Sequence, residues 1–301
     1  MPDIGRLTDD DMWGEERWPL TLGRQRHVLQ AGYADRLVGE LVRVLRDRGL
    51  YDRSMIVVVA DHGISFEPGG PIRGIDGQPL GPDAEADILW VPFFLKEPGQ
   101  TEARISDADV RTVDVLPTMA EVLDVDLPWD VDGQSALSRP RTGSIKPYYS
   151  SDVGPFGVGL AEPVDVDGAS GWRRVLARSL DALLPPGVGP NRIWKVGPFP
   201  ELIGERIEDI GKGRLRPVDA VLRGSDAYEN VDRGAFLPVL VRGKVDGMAH
   251  GEVVAIAMNG VVAATGPIFT DEDGLAFAVM VNDATLRAGR NDVAVYRVAP
   301  K

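Results

Sequence analysis

The stretch 54-SMIVVVADHG-63 decides how the rest of the chain is read. Met55 to Ala60 is an unbroken apolar run with three consecutive valines. A run this short and this rich in β-branched residues predicts a strand buried on both faces, as inside a parallel sheet. It breaks off at Asp61, His62 and Gly63. At the carboxyl end of such a strand, side chains enter the crevice where open α/β sheets bind ligands. A carboxylate beside an imidazole is there a pair of ligands for a divalent metal. Gly63 lets the backbone turn away at once, free of a Cβ penalty if φ is positive. The same three residues also fit a plain strand cap, with Asp61 turning the chain and His62 half exposed. The surrounding sequence decides between the two.

Upstream, residues 1 to about 23 show no period and contain Pro19 and Gly23, which predicts an irregular lead-in anchored by Trp13 and Trp18. From Arg26 to about Arg48 the pattern is helical: Leu29, Tyr33, Leu37, Leu41 and Leu45 line one stripe, widened by Ala34 and Val38. Gly49 follows as a stop. Downstream, Glu67 to Asp87 is a Gly- and Pro-rich loop long enough to close over whatever Asp61 and His62 bind. Ile88 to Leu95 is a second apolar segment, and Pro92 within it points to an edge strand or a bulge. Val113 to Val125 predicts a helix with Asp114 as N-cap and Pro117 in its first turn. Leu116, Met119, Ala120 and Leu123 would form its buried face.

Residues 144–232 read as a mixed connector. Ser170 can cap a helix carrying Trp172, Val175, Leu176, Ser179 and Leu183, stopped by Pro185, Pro186 and Gly187, and a shorter helical piece covers Glu201 to Ile210. Further on, the period changes to two. Val239, Val241 and Val245 suggest one strand, and Leu275 to Val281 and Asp292 to Val298 two more. Val253 to Met258 and Val261 to Ala264 flank Asn259-Gly260, the strongest short-range sign of a two-residue type I′ hairpin. Short strands at this spacing predict a β-sandwich module over 233–301.

Composition narrows the function classes. The 301 residues carry a net charge of −13, which argues against nucleic acid, whose phosphates need a positive surface, and against anionic lipid. Cysteine is absent, so there is no disulfide framework, thiolate metal site or thiol nucleophile. No stretch approaches the length of a membrane span, and the acidic first residues are the opposite of a signal peptide's plan. The chain as given reads as soluble, with no visible export signal.

Four segments of the first 143 residues, in order, resemble the C-terminal half of a sulfatase-type catalytic domain of the alkaline phosphatase superfamily. YADRLVGELVRVLRDRGLYDRS is similar to the family's tyrosine–aspartate–glycine helix, and MIVVVADHG to its metal-binding strand end. VPFFLKEPG resembles the strand entering a proline–glycine turn, and VDVLPTMAEVLDVDLPWDVDGQSAL the aspartate-led helix that closes the domain. The segments LVRGKVDG, VAIAMNGVVAAT and RAGRNDVAVYRV look like the sandwich appended to some membrane-anchored bacterial sulfatase-like proteins. The fold class implied is α/β: a partial alkaline-phosphatase-like sheet domain over 1–143, the connector, and the all-β sandwich.

The resemblance implies that Asp61 and His62 are metal ligands, for Ca, Mn, Mg or Zn. Such a cation polarises an ester oxygen and activates the attacking hydroxyl. Arg73, in the loop after the metal strand, is the candidate for stabilising the departing oxyanion. Its plainer reading is a solvated loop arginine. Lys96 reads as a surface lysine, His27 as a partly exposed residue at the helix start, Asp35 as structural and His250 as a loop residue. The acidic cluster Asp9, Asp10 and Asp11 follows no apolar strand and is set aside as a metal site.

The departure from the family is the nucleophile, carried there in an N-terminal half that nothing here resembles. Without cysteine, the cysteine-to-formylglycine signature is excluded from this chain. The expectation is therefore the C-terminal portion of a metal-dependent hydrolase of sulfate esters, inactive alone, whose partner is its own missing N-terminal half. The alternatives are a phosphoglycerol- or phosphoethanolamine-transferase-like enzyme acting on phosphorylated esters, or a non-catalytic envelope binding module. The parent would be membrane-anchored, with this part extracytoplasmic.

Overall fold

The computed structural model describes residues 12–73, 82–106, 108–138, 145–146, 149–150, 159–160, 164–165, 168–183 and 192–300. The chain divides into two compact units, Val28–Ala177 on one side and Met1–His27 with Arg178–Lys301 on the other. No described helix is long and apolar enough to cross a membrane.

Helix α1 (Arg17–Asp47) starts within the predicted lead-in, about nine residues earlier than the periodicity indicates. Pro19 does not prevent this, because a proline in the first turn removes an N–H that has no helical acceptor. The early turns are fixed by the β-rich unit. Trp18, Leu20 and Leu22 are buried, and the Trp18 indole N–H donates to the Ala278 carbonyl at 2.8 Å. Buried Gln25 donates through Nε2 to the Ile193 carbonyl at 2.7 Å. At the other end Gly49 takes φ +64, and the Leu50 N–H closes on the Leu45 carbonyl at 2.8 Å, the left-handed stop expected of a glycine after a helix.

In the Val28–Ala177 unit, strand β1 (Ile56–Val59) pairs antiparallel with β2 (Phe93–Lys96), Ile56 opposite Lys96 and Val59 opposite Phe93. This corrects the expected parallel, doubly covered strand. All four β1 residues are half-buried, because among the described residues the ladder has two strands, and each has an unpaired edge and a partly open face. The valine run states that both faces prefer cover, but it carries no information about the direction of the neighbour. The loop expected to run to Asp87 is interrupted by helix α2 (Pro82–Leu89), so Ile88 and Leu89 end a helix rather than open a strand. Pro92 stands just before β2, where it interrupts no ladder.

Helix α3 (Val115–Leu123) follows a 3₁₀ turn at Thr112–Asp114. Asp114 is fully buried and does not cap α3 with its side chain. Its carboxylate accepts instead from the Arg111 and Gln134 backbone N–H groups at 2.8 and 2.9 Å, and Thr118 Oγ1 accepts from the Ala136 N–H at 2.8 Å. These bonds bind the turn at 133–136 to the start of the helix. A Cβ on Gly133 would stand 2.1 Å from the Val113 carbonyl oxygen, so only glycine allows this approach. The predicted buried face of α3 is not covered: Leu116, Met119 and Leu123 are exposed. On α1, Val28, Tyr33, Leu37, Leu41 and Val44 are exposed in the same way. Two short antiparallel pairs, β3 (Ile145–Lys146) with β6 (Val164–Asp165) and β4 (Tyr149–Ser150) with β5 (Gly159–Leu160), precede α4 (Gly168–Leu183), the helix expected around Val175.

The β-rich unit holds two four-stranded antiparallel sheets. The strands are β7 (Leu215–Pro217), β8 (Ala220–Leu222), β9 (Leu240–Val245), β10 (Val253–Met258), β11 (Val261–Pro267), β12 (Phe269–Asp271), β13 (Gly274–Met280) and β14 (Val293–Val298). One sheet runs β11-β10-β14-β7 and the other β12-β13-β9-β8. Asn259 and Gly260 join β10 to β11 with φ +53 and +81, the double positive φ of a type I′ turn. β9 alternates buried and half-buried residues as its sequence predicts, but β10 is buried along almost its whole length. The reason is a layer over that sheet: Ala255, Val262 and Val298 pack with Leu202, Phe199, Ile203, Ile207 and Ile210. The segment expected as a short helix over Glu201–Ile210 forms two 3₁₀ turns, Pro200–Leu202 and Ile207–Asp209, pinned by the Ile207 N–H to the Gly260 carbonyl at 3.0 Å.

Candidate metal centre

β1 ends at Val59, and two residues later the chain presents Asp61 and His62 side by side. Asp61 Oδ1 accepts the His62 backbone N–H at 2.9 Å, which turns the carboxylate back along the chain. His62 Nδ1 lies 2.7 Å from the Gly63 carbonyl oxygen. Asp61 Oδ2 and His62 Nε2 are then 3.8 Å apart, with the two side chains 88% and 43% exposed. They are neither turned away from each other nor sealed in the core, so a cation can reach both donor atoms from solvent. Asp61 titrates below the ordinary carboxylate range. The His62 N–H donated to it is the largest cause, the neighbouring imidazole comes next, and Arg73 adds a smaller attraction.

Gly63 is required for a different reason than a positive φ, which it does not adopt. Its N–H donates to the Ile88 carbonyl at 2.7 Å, and a Cβ there would fall 1.9 Å from the Asp87 carbonyl oxygen. The strand end is thus seated directly on the end of α2. Beyond it, Ser65 and Phe66 are buried and the Ser65 N–H reaches the Ile72 carbonyl at 2.9 Å, which brings the loop back to exposed Arg73. Among the described residues no group of three or more His, Asp or Glu side chains could hold a metal ion. Asp61 and His62 match the O- and N-donor chemistry of a divalent cation, but as a pair they supply only part of a coordination shell.

The other candidates separate from this pair. Lys96, read as a surface lysine, donates to the carbonyls of Tyr51, Asp52 and Ser54 at 2.6, 3.3 and 3.0 Å, and lies 4.6 Å from the Tyr51 ring centre. All three of its protons stitch the loop that precedes β1. His250 Nε2 meets Glu16 Oε1 at 2.8 Å within the β-rich unit. Asp35 is exposed on α1, and Asp9, Asp10 and Asp11 lie outside the described residues. The sequence reading missed the part played by main-chain carbonyls; the glycine after the histidine was the available signal.

Residues 23–125 match the sulfatase family model. A lipoteichoic acid synthase-like protein of Bacillus subtilis, YvgJ, is 34% identical over 123 residues, which is 39% of this chain and 20% of that protein. The lipoteichoic acid synthase of Staphylococcus saprophyticus is 28% identical over 128 residues, 42% of this chain and 20% of the relative. That of Staphylococcus aureus strain USA300 is 30% identical over 101 residues, 33% and 16%. The chain therefore spans about a fifth or less of the length of the curated relatives it matches. The strand end, the glycine seat and α3 all fall inside the matched residues, so the segment 23–125 that holds them is similar to a sulfatase-type domain.

Proposed function

We propose that the chain supplies the C-terminal part of a metal-dependent enzyme that transfers or cleaves phosphate esters, in the manner of a phosphoglycerol transferase. The observation that carries this reading is the Asp61 Oδ2–His62 Nε2 pair, 3.8 Å apart and open to solvent at the end of β1. Asp61 and His62 are two ligands of a divalent cation. When bound, the cation lowers the pKa of an attacking hydroxyl and polarises the ester oxygen. Arg73, already within electrostatic reach of Asp61, faces the charge that develops on the departing oxygen. Phosphate rather than sulfate is favoured because the relatives quoted above are named lipoteichoic acid synthases or a synthase-like protein.

The nucleophile and the remaining ligands come, on this reading, from another segment of a sulfatase-type domain that covers α1 and α3. Two observations support that. Tyr33 at 60% and Leu123 at 62% exposure head apolar faces that sequence periodicity marks as core. The match also spans only about a fifth of each longer relative. The parent would then be membrane-anchored with this part outside the cell.

The test is reconstitution. The chain is joined to, or mixed with, the N-terminal segment of a sulfatase-type domain and assayed on nitrophenyl phosphodiesters with Mn²⁺. Activity that Asp61→Ala abolishes supports the reading. Cleavage of nitrophenyl sulfate instead would support the second reading, a sulfate-ester hydrolase, which the family model favours. No metal binding in the reconstituted protein would point to a non-catalytic envelope module.

A further inference from the structure

Resting on that reading, the geometry points to Gly63 as the positioning residue of the centre: its carbonyl oxygen fixes His62 as the Nδ1–H tautomer and so leaves the Nε2 lone pair for the cation. A carbonyl oxygen can only accept, so at 2.7 Å the proton must sit on His62 Nδ1. The other nitrogen, Nε2, then carries the free pair on the side of Asp61 Oδ2. A backbone carbonyl holding the second nitrogen of a ligating histidine is the usual way such a ring is oriented.

What holds the carbonyl is the glycine seat. The Gly63 N–H is anchored 2.7 Å from the Ile88 carbonyl, and the backbone lies so close to Asp87 that any Cβ would collide with it at 1.9 Å. The requirement for glycine and the tautomer of the histidine before it therefore share one cause. The contact of α2 with the strand end sets the direction of the Gly63 carbonyl, and the carbonyl sets the ring.

The three histidines make this directly measurable, because each can be assigned in a ¹⁵N-histidine-labelled sample of the whole chain by a His→Gln variant. His250 is an internal reference of the opposite kind, since its Nε2 donates to Glu16. With the imidazoles neutral, long-range ¹H–¹⁵N correlations should show His62 protonated on Nδ1 and His250 on Nε2. His62 protonated on Nε2, or an even mixture, overturns the proposal whether or not metal binds. Gly63→Ala should release His62 towards the Nε2–H form and weaken Mn²⁺ binding by about tenfold. An unchanged tautomer and affinity in that variant would remove Gly63 from the role. Absence of Mn²⁺ binding alongside the predicted Nδ1–H pattern would count against the metal reading and leave the tautomer assignment supported.

Discussion

Lys96 and Asp61 show how far a single residue's type can be read. Both are charged residues near a strand end, yet one is spent on main-chain carbonyls and the other is open to solvent. Sequence marked Asp61 because it ends a valine run beside a histidine. It had no means to mark Lys96, whose partners Tyr51, Asp52 and Ser54 become neighbours only when β2 pairs with β1. Lys96→Met keeps the stem and removes three charged hydrogen bonds. It should destabilise the Val28–Ala177 unit by about 2 kcal/mol, read as a lower urea midpoint, while leaving the β-rich unit's transition in place. Equal shifts in both transitions would contradict the local role. Tyr228 supplies a second test. Burial raises its phenol from 10.0 to about 12, so the unfolded chain ionises first. The stability it contributes is whole below pH 10 and is lost as pH rises through about 12. Alkaline unfolding of the β-rich unit should begin near pH 10, and Tyr228→Phe should blunt that fall.

Elements divide by whether their partners are local. The Asn259-Gly260 hairpin was legible because a two-residue turn is encoded in the residues that make it. Asn259 also donates to the Asn291 side chain at 2.9 Å and accepts from the Asp292 N–H at 3.1 Å. Asn259→Ala loses these bonds and places a Cβ-bearing residue less tolerant of φ +53 there. The expected cost is about 2 kcal/mol by thermal or urea melting, whereas a shift below a few tenths would deny the network any weight. The periodicities of α1 and α3 were legible as well, but not that their apolar stripes lie open, since periodicity states a preference for cover without naming the cover. The early start of α1 was hidden because Trp18 is held by Ala278, 260 residues away in sequence. Tyr33→Ser with Leu37→Ser and Leu41→Ser should reduce dye binding and self-association of the isolated chain with little loss of stability. The same triple variant should weaken reconstitution with the N-terminal segment. A large drop in melting temperature would show that these side chains are already packed.

At the scale of the whole molecule, the fold class was readable from order: an α/β segment with the sulfatase signature, then a change to period two. The two β-sheets were visible in outline, but the layer over one of them was not: Glu201–Ile210 reads as a short helix, whereas it forms two 3₁₀ turns held by tertiary contacts that no local pattern encodes. If Asp61 and His62 share one cation, paramagnetic Mn²⁺ will report it at the histidine rings. Titrated into the ¹⁵N-histidine-labelled chain, Mn²⁺ should broaden the His62 ring signals well before those of His27 and His250, and Asp61→Ala should erase that preference. Uniform broadening of all three histidines, or a His62 response that survives Asp61→Ala, would show that the two residues do not share a cation.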